Sequence, residues 1–335
     1  MRRALARARG LGPVLGPVLG ALALVAALPA AARAFEAFDA QAFEAPTDPD
    51  AYITVDGARA IEGHPIGFHA AVYFSYARDP VELRVREDGG RESIDIVEDL
   101  PEFALVLGVG LFDRLSLGVA FPFVTHRDGT DIEDPTEDLK EEGVGALRAE
   151  AKLTVVKPEA DDLLGLALKA FVKFPTGAER DFESDAEQYT FGALAILELY
   201  LGAVRLGLNA GVEYIGVSIR VADTVVDTKL RLGAGIALDI GRLTDDEGLE
   251  GLELVGEVRH FARWEKPYDQ EEESPVEIGG AIKYSGTLFA LAGASAGLNE
   301  GVTAPDWRIF VAIGVTLGGG GGGGAAAAGA EPALD

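Results

Sequence analysis

The chain has 335 residues, of which 48% are hydrophobic, and it carries a formal net charge of −26 at pH 7. This acidic balance argues against a nucleic-acid partner, because phosphate binding needs a basic face. The sequence contains no cysteine, which excludes a disulfide framework, a thiolate metal site and a cysteine nucleophile.

The first 34 residues have the features of a secretory signal peptide. The basic stretch MRRALARARG precedes an apolar run, and Ala32-Arg33-Ala34 has the small-x-small pattern of a cleavage site. Pro13 and Pro17 within the run argue against a stable membrane-anchoring helix. We therefore predict a mature chain that begins with a periplasmic segment, residues 35–63.

After residue 63 the sequence alternates apolar and polar residues with the period of a β-strand. In VRLGLNAGVEY, residues 204–214, every second residue from Val204 is apolar, while Arg205, Asn209 and Glu213 lie on the other side. The same pattern predicts about twelve strands. They are expected near residues 65–77, 94–111, 115–125, 144–156, 163–174, 189–200, 204–215, 227–239, 251–263, 276–284, 287–297 and 306–317.

The connections between these predicted strands alternate between long and short. The gaps at 78–93 and 126–143 are long and polar and are expected to be loops, whereas those at 112–115, 202–204 and 285–286 are short, with 241–251 as an exception. Long extracellular loops and short periplasmic turns are typical of an outer-membrane barrel. A soluble β-sandwich has no reason to alternate its loop lengths.

The predicted fold class is therefore all-β, an antiparallel transmembrane β-barrel over residues 64–317. A twelve-strand lumen is too wide for apolar side chains to fill easily. The apolar side of each predicted strand should therefore face lipid, and the charged, glycine-rich side should face the lumen. The mixed signs of these charges allow either a selective pore or mutual pairing. The predicted lumen-lining residues are Arg148, Glu150, Lys152, Lys169, Lys173, Arg205, Glu213, Lys229, Arg231, Asp239, Glu257, Arg259, Lys283 and Arg308, with Glu198 and Glu277 on the same face.

Aromatic residues mark the strand ends beside the long gaps. An amphipathic ring prefers the headgroup level of a membrane, so these residues predict an interfacial girdle. The predicted girdle residues are Tyr76, Phe123, Phe174, Tyr189, Tyr214, Trp264 and Trp307.

The long gaps also hold most of the acidic residues and one candidate for catalysis. The acidic run from Asp128 to Glu142 does not have the spacing of an EF-hand, which favours a solvated loop over a calcium site. His126 lies beside Asp128, and Ser184 lies in a neighbouring long gap, but no nucleophile motif accompanies them. We predict no enzyme activity, no metal and no cofactor.

Several stretches resemble the amino-terminal barrel of the OmpA family of bacterial outer-membrane proteins. In that family the barrel precedes a periplasmic peptidoglycan-binding domain. Here a Gly/Ala-rich tail, residues 318–335, takes that place, so cell-wall anchoring is not expected from the resemblance. The matching stretches are FDAQAFEAPTDPDAYITVDGARAI at 38–61, YFSYARDPVELR at 73–84, GLFDRLSLGVAFPFV at 110–124, FPTG at 174–177 and PDWRIFVAIGV at 305–315.

The predicted function is passive, porin-like transport of small solutes or structural support of the outer membrane. The expected location is the outer membrane after signal cleavage. The expected partners are outer-membrane lipid, lipopolysaccharide, the barrel assembly machinery and small solutes. Two alternatives from other classes are a soluble exported all-β binding protein and a barrel hydrolase.

Overall fold

The computed structural model describes residues 43–63, 65–87, 90–124, 128–129, 143–158, 163–176, 188–216, 218–221, 224–268, 273–299 and 301–318. The predicted signal peptide, His126, Ser184, most of the acidic run and the tail beyond Gly318 lie outside these residues.

Sixteen strands account for most of the described chain. They are β1 (Ile66–Glu87), β2 (Gly90–Leu111), β3 (Leu115–Val124), β4 (Asp128–Gly129), β5 (Gly143–Val144), β6 (Leu147–Val156), β7 (Leu164–Phe174), β8 (Thr190–Leu201), β9 (Val204–Ile215), β10 (Ile219–Val221), β11 (Thr224–Val226), β12 (Lys229–Asp239), β13 (Leu252–Arg263), β14 (Val276–Ser285), β15 (Leu288–Gly297) and β16 (Trp307–Leu317). Four of them, β4, β5, β10 and β11, have only two or three residues and lie in the connections.

The other twelve strands form one closed antiparallel barrel. Each pairs with its neighbours along the chain, and β1 closes the barrel against β16, with Phe68 opposite Leu317 and Arg78 opposite Trp307. Between Phe68 and Arg78 each edge of β1 is therefore paired, and the closed wall has no open sheet edge, as a membrane-spanning sheet requires. The predicted all-β antiparallel barrel of twelve strands is confirmed.

The first long connection differs from the prediction. Residues 78–93 were expected to be a loop, but β1 and β2 continue as a paired hairpin of 22 residues each, after the pairing of β1 with β16 has ended at Arg78. A register shift near Val81 follows Pro80, which has no N–H to give to the ladder.

The longest of the gaps at the opposite end of the barrel contains helical turns. A short helix, α1 (Ile240–Thr244), and a 3₁₀ turn at Glu247–Leu249 fill it. Asp239, the last residue of β12, caps α1 by accepting a hydrogen bond from the Arg242 N–H at 3.0 Å. No helix among the described residues has the length and apolar character needed to cross a membrane.

The two faces of the barrel wall differ as the alternation predicts. On β16, Ile313 on the outer face is 70% exposed, whereas Arg308 on the inner face is fully buried. Large apolar side chains are exposed around the whole outer wall, for example Phe68, Leu107, Leu208 and Ile282. A contiguous apolar outer surface of this extent indicates a lipid-facing wall.

Residues 43–63, which we call the inner segment, lie inside the barrel. Most of them are buried, and their hydrogen bonds go to inward-facing side chains of the wall. This stretch belongs to residues 35–63, which we predicted to be a periplasmic segment, and its contacts with the barrel wall were not predicted. The inner segment contains no strand or helix, so neither a period of 2 nor one of 3.6 marks it in the sequence.

Candidate functional site: the barrel lumen and the inner segment

Glu257 of β13 holds the middle of the inner segment by its backbone. Oε2 of this carboxylate accepts hydrogen bonds from three consecutive N–H groups, those of Ile53, Thr54 and Val55, at 2.9, 2.8 and 3.0 Å. Oε1 accepts the Thr54 hydroxyl at 2.7 Å. Charge-assisted bonds of this kind are stronger than neutral ones, so Glu257 fixes the path of the turn.

Glu198 of β8 makes a second set of contacts and is fully buried. Its oxygens accept the Tyr52 hydroxyl at 2.8 Å and the Ala58 N–H at 2.9 Å. Arg205 donates to the same carboxylate at 2.9 Å and neutralises it. A wall ion pair therefore binds two points of the inner segment.

Lysines of the neighbouring strands bind the acidic side chains of the inner segment. Lys152 pairs with Asp48 at 2.9 Å, and its Nζ also donates to the Gly57 carbonyl at 2.9 Å. Lys169 pairs with Asp56 and with Glu150 of the wall, both at 3.0 Å. Each buried ammonium thus has two partners, which offset its desolvation, and those of Lys169 lie on both sides of the interface.

Glu44 bridges three strands near the start of the inner segment. Its carboxylate pairs with Arg231 at 2.7 Å, Lys173 at 2.9 Å and Arg148 at 3.2 Å. Burial alone raises the pKa of Glu44, but the three cations outweigh it and hold this pKa well below its ordinary value. The carboxylate is therefore ionised at neutral pH.

The opposite side of the lumen contacts the inner segment through aromatic rings. The Phe43 ring lies 5.3 Å from that of Phe310 and 6.4 Å from that of Tyr73. The Arg308 guanidinium lies 5.6 Å from the Phe43 ring and 3.5 Å from the Glu277 carboxylate. The lumen thus combines a charged side with an apolar side.

Inward-facing glycines leave room for the inner segment. A Cβ atom at Gly235 would lie 2.6 Å from the Tyr52 ring, and one at Gly207 would overlap the same ring. At Gly110 and Gly118 a side chain would overlap the inner segment in the same way. These glycines are required by close approach of another chain segment rather than by backbone conformation.

The structure brings most of the predicted lumen residues into one network. Asp239 does not join it, since it caps α1 at the short-turn end. Lys229 of β12 lies directly opposite Glu213 of β9 in the strand register. The predicted residues with an ion pair or hydrogen bond inside the barrel are Arg148, Glu150, Lys152, Lys169, Lys173, Arg205, Glu213, Arg231, Glu257, Arg259, Lys283 and Arg308.

The predicted girdle residues all lie at the long-loop end of the barrel, and all of them are at least partly exposed. Two pairs are in contact: Tyr76 with Trp307, at 5.3 Å between ring centroids, and Phe174 with Tyr189, at 5.7 Å. Trp264 is 54% exposed. This arrangement suits a membrane interface, where one side of each ring is apolar and the other wet.

The ion pairs between acidic residues of the inner segment and cations of the barrel wall were not predicted from the sequence. Glu44, Asp48, Asp50 and Asp56 all pair with wall cations. Glu253, which pairs with Lys283 at 2.8 Å, was also missed. The available signal was the excess of bases over acids on the lumen face, together with its glycines, since both require a partner from elsewhere in the chain.

No protein-family model matches this sequence, and no curated protein matches it. Among solved structures it is similar to the COG4313 outer membrane channel from Pseudomonas putida F1, with 16% identity, a TM-score of 0.54, and coverage of 78% of this chain and 99% of that one. It is also similar to the NanC porin (8% identity, TM-score 0.47, coverage 73% and 98%). A third similar structure is the outer membrane protein opdK from Pseudomonas aeruginosa (11% identity, TM-score 0.34, coverage 76% and 99%).

The fold is that of an outer-membrane β-barrel. The likeness to the COG4313 outer membrane channel supports this fold, and at 16% identity it concerns the fold alone. It does not bear on the resemblance to the OmpA family in particular.

Proposed function

We propose that this chain is an outer-membrane channel for small solutes whose lumen is closed at rest by the inner segment. The observation that carries the proposal is the polar character of the interface between this segment and the wall. A barrel that is permanently filled would be at least as stable with an apolar core, because buried ion pairs lose much of their Coulomb energy to desolvation. A polar interface instead favours a segment that can leave and be hydrated.

The charged side chains that line the inside of the barrel wall also support this proposal. Lys169, Lys173, Arg231 and Glu257 would line an aqueous passage if the inner segment moved out, and water would then solvate their charges. In this proposal lipid and lipopolysaccharide contact the outer wall, and small solutes are the cargo. The proposed transport is passive.

A second candidate function is structural support of the outer membrane. It is favoured by the number of fully buried wall charges that already have partners, such as Glu198 and Lys283. In that case the inner segment would stay in place permanently, and the protein would insert without conducting.

An engineered disulfide separates the two functions. A Cβ at Gly165 would lie 2.9 Å from the Ala58 Cβ, so Ala58→Cys with Gly165→Cys needs a shift of only about 1 Å to reach disulfide geometry. The chain has no cysteine of its own to interfere. Single-channel currents should be recorded for the protein purified from membranes in detergent and inserted into a planar bilayer.

We expect discrete openings in the wild type, none in the oxidised double variant, and their return after reduction. Each single cysteine variant is the matched control and should behave like the wild type under both conditions. Openings that persist under oxidation would mean that solutes pass beside a fixed segment. An inserted barrel that stays silent, even after residues 43–63 are deleted, would favour the structural function.

A further inference from the structure

A cavity of about 200 Å³ lies at the short-turn end of the lumen, between the inner segment and the wall. It extends to the turns at Gly202 and Gly286, which join β8 to β9 and β14 to β15. For comparison, a protein cavity of about 150 Å³ holds a benzene molecule. The space is therefore large enough for a small organic or inorganic ligand.

The five acidic side chains that line this cavity are all paired with cations. The pairs are Asp48 with Lys152 at 2.9 Å, Asp50 with Arg205 at 3.0 Å, Glu62 with Lys157 at 3.8 Å, Asp239 with Arg242 at 3.3 Å, and Glu253 with Lys283 at 2.8 Å. Of the four cations in the lining, three belong to these pairs. The fourth is Arg59 of the inner segment, which has no ion pair within 4.0 Å among the described residues, although the charge of Asp50 acts on it.

The Arg59 guanidinium lies 4.8 Å above the ring of Tyr200, which sets the plane of the group. Its Nε is buried and donates to no acceptor in the part of the chain that the structure describes. The Ser285 hydroxyl, at the end of β14 in the same cavity lining, is likewise buried and has no hydrogen-bond partner among the described residues. Buried donors without acceptors are costly, so both groups call for an acceptor that none of the described residues supplies.

We propose that this cavity binds a small oxyanion, a carboxylate or a phosphate, with Arg59 as the charged donor and Ser285 as the neutral donor. The planar guanidinium matches the paired oxygens of both anions. A bound anion would contact the inner segment and the wall at once. It would therefore stabilise the closed arrangement in proportion to its occupancy, by linkage.

Binding should be measured by isothermal titration calorimetry on the detergent-purified protein. Sodium phosphate and sodium acetate are the probes, and sodium chloride at equal ionic strength is the reference. The wild type should give saturable heat with at least one probe. Arg59→Gln should weaken binding about tenfold or more, because a hydrogen bond to a charged group contributes roughly 1.5–3 kcal/mol.

Arg242→Gln is the matched control, since this arginine lines the same cavity but is 59% exposed and paired with Asp239. It should change the affinity much less than Arg59→Gln. Saturation by phosphate but not acetate would assign a phosphate ligand, and the reverse a carboxylate. The proposal is overturned if neither probe saturates, or if Arg59→Gln binds as the wild type does.

Ser285→Ala covers the case in which Arg59→Gln does not fold. It should lower the affinity by a smaller factor and keep the heat-modifiable gel migration of a folded barrel. Unchanged affinity in Ser285→Ala, together with a misfolded Arg59→Gln, would reject the assigned donors. Binding is measured on the closed protein, so it can succeed even if the proposed channel activity fails, whereas an effect of the anion on openings rests on that activity.

Discussion

The inner and outer faces of the same barrel strands obey different requirements. On β7, Leu168 points outward and is 38% exposed, while the adjacent Lys169 points inward and pairs with two carboxylates at 3.0 Å. The outer face needs only apolar side chains, because lipid makes no directional contacts. The inner face needs particular groups at particular positions, since many of them meet a defined atom of the inner segment, as Lys152 meets Asp48 and Glu257 meets Ile53.

The largest expected effect comes from removing one buried cation. Lys169→Met should destabilise the protein by about 3–5 kcal/mol, because it leaves Asp56 and Glu150 buried without their shared ammonium. Leu168→Met, its neighbour on the outer face, should cost less than about 1.5 kcal/mol. Urea unfolding in lipid vesicles, followed by tryptophan fluorescence, measures both. Equal effects would show that the inner segment is not docked in the membrane-embedded protein.

A smaller effect is expected from adding one methyl group. Gly207→Ala places a Cβ against the Tyr52 ring and should cost about 1–3 kcal/mol by overpacking. Gly280→Ala is the control, because a Cβ there would meet nothing closer than the Val255 carbonyl oxygen at 3.7 Å. The same unfolding experiment compares the two. A harmless Gly207→Ala would contradict the close packing of Tyr52 against β9.

The smallest expected effect is the loss of the Glu44 contribution to stability in acidic solution. The folded-state pKa of Glu44 lies well below its ordinary value of 4.5, so its stabilising contribution is complete above pH 4.5 and is lost as the pH falls through the folded-state pKa. Burial raises the pKa of Asp48, so the protonation of Asp48 makes the folded state more stable as the pH falls, which is the opposite of the effect of Glu44. The contribution of Glu44 is therefore measured as the difference in unfolding free energy between the wild type and Glu44→Gln, from pH 7 to pH 3. This difference should shrink as the pH falls below 4.5. A difference that stays constant would contradict the lowered pKa of Glu44.

The barrel itself could be predicted because its rules are local. Alternation with period 2 located strands such as β9 and β16 to within a few residues, and even β15, which has no charge on either face, was found. The β1–β2 hairpin extension was missed because Asp79-Pro80 and Gly89-Gly90 are typical of turns. Pairing with the neighbouring strand overrode that local preference.

The sequence by itself determined the number and order of the twelve barrel strands and which side of each strand faces outward. The reason is that a membrane requires apolar groups outside and a closed set of backbone hydrogen bonds. Only the tertiary structure decided what fills the lumen. The inner segment has no period, and its partners are far away in the chain: Tyr52 and Glu198 are 146 residues apart, and Ile53 and Glu257 are 204 apart. Such contacts follow from the shape and charge of a closed barrel, which exists only after the strands have paired.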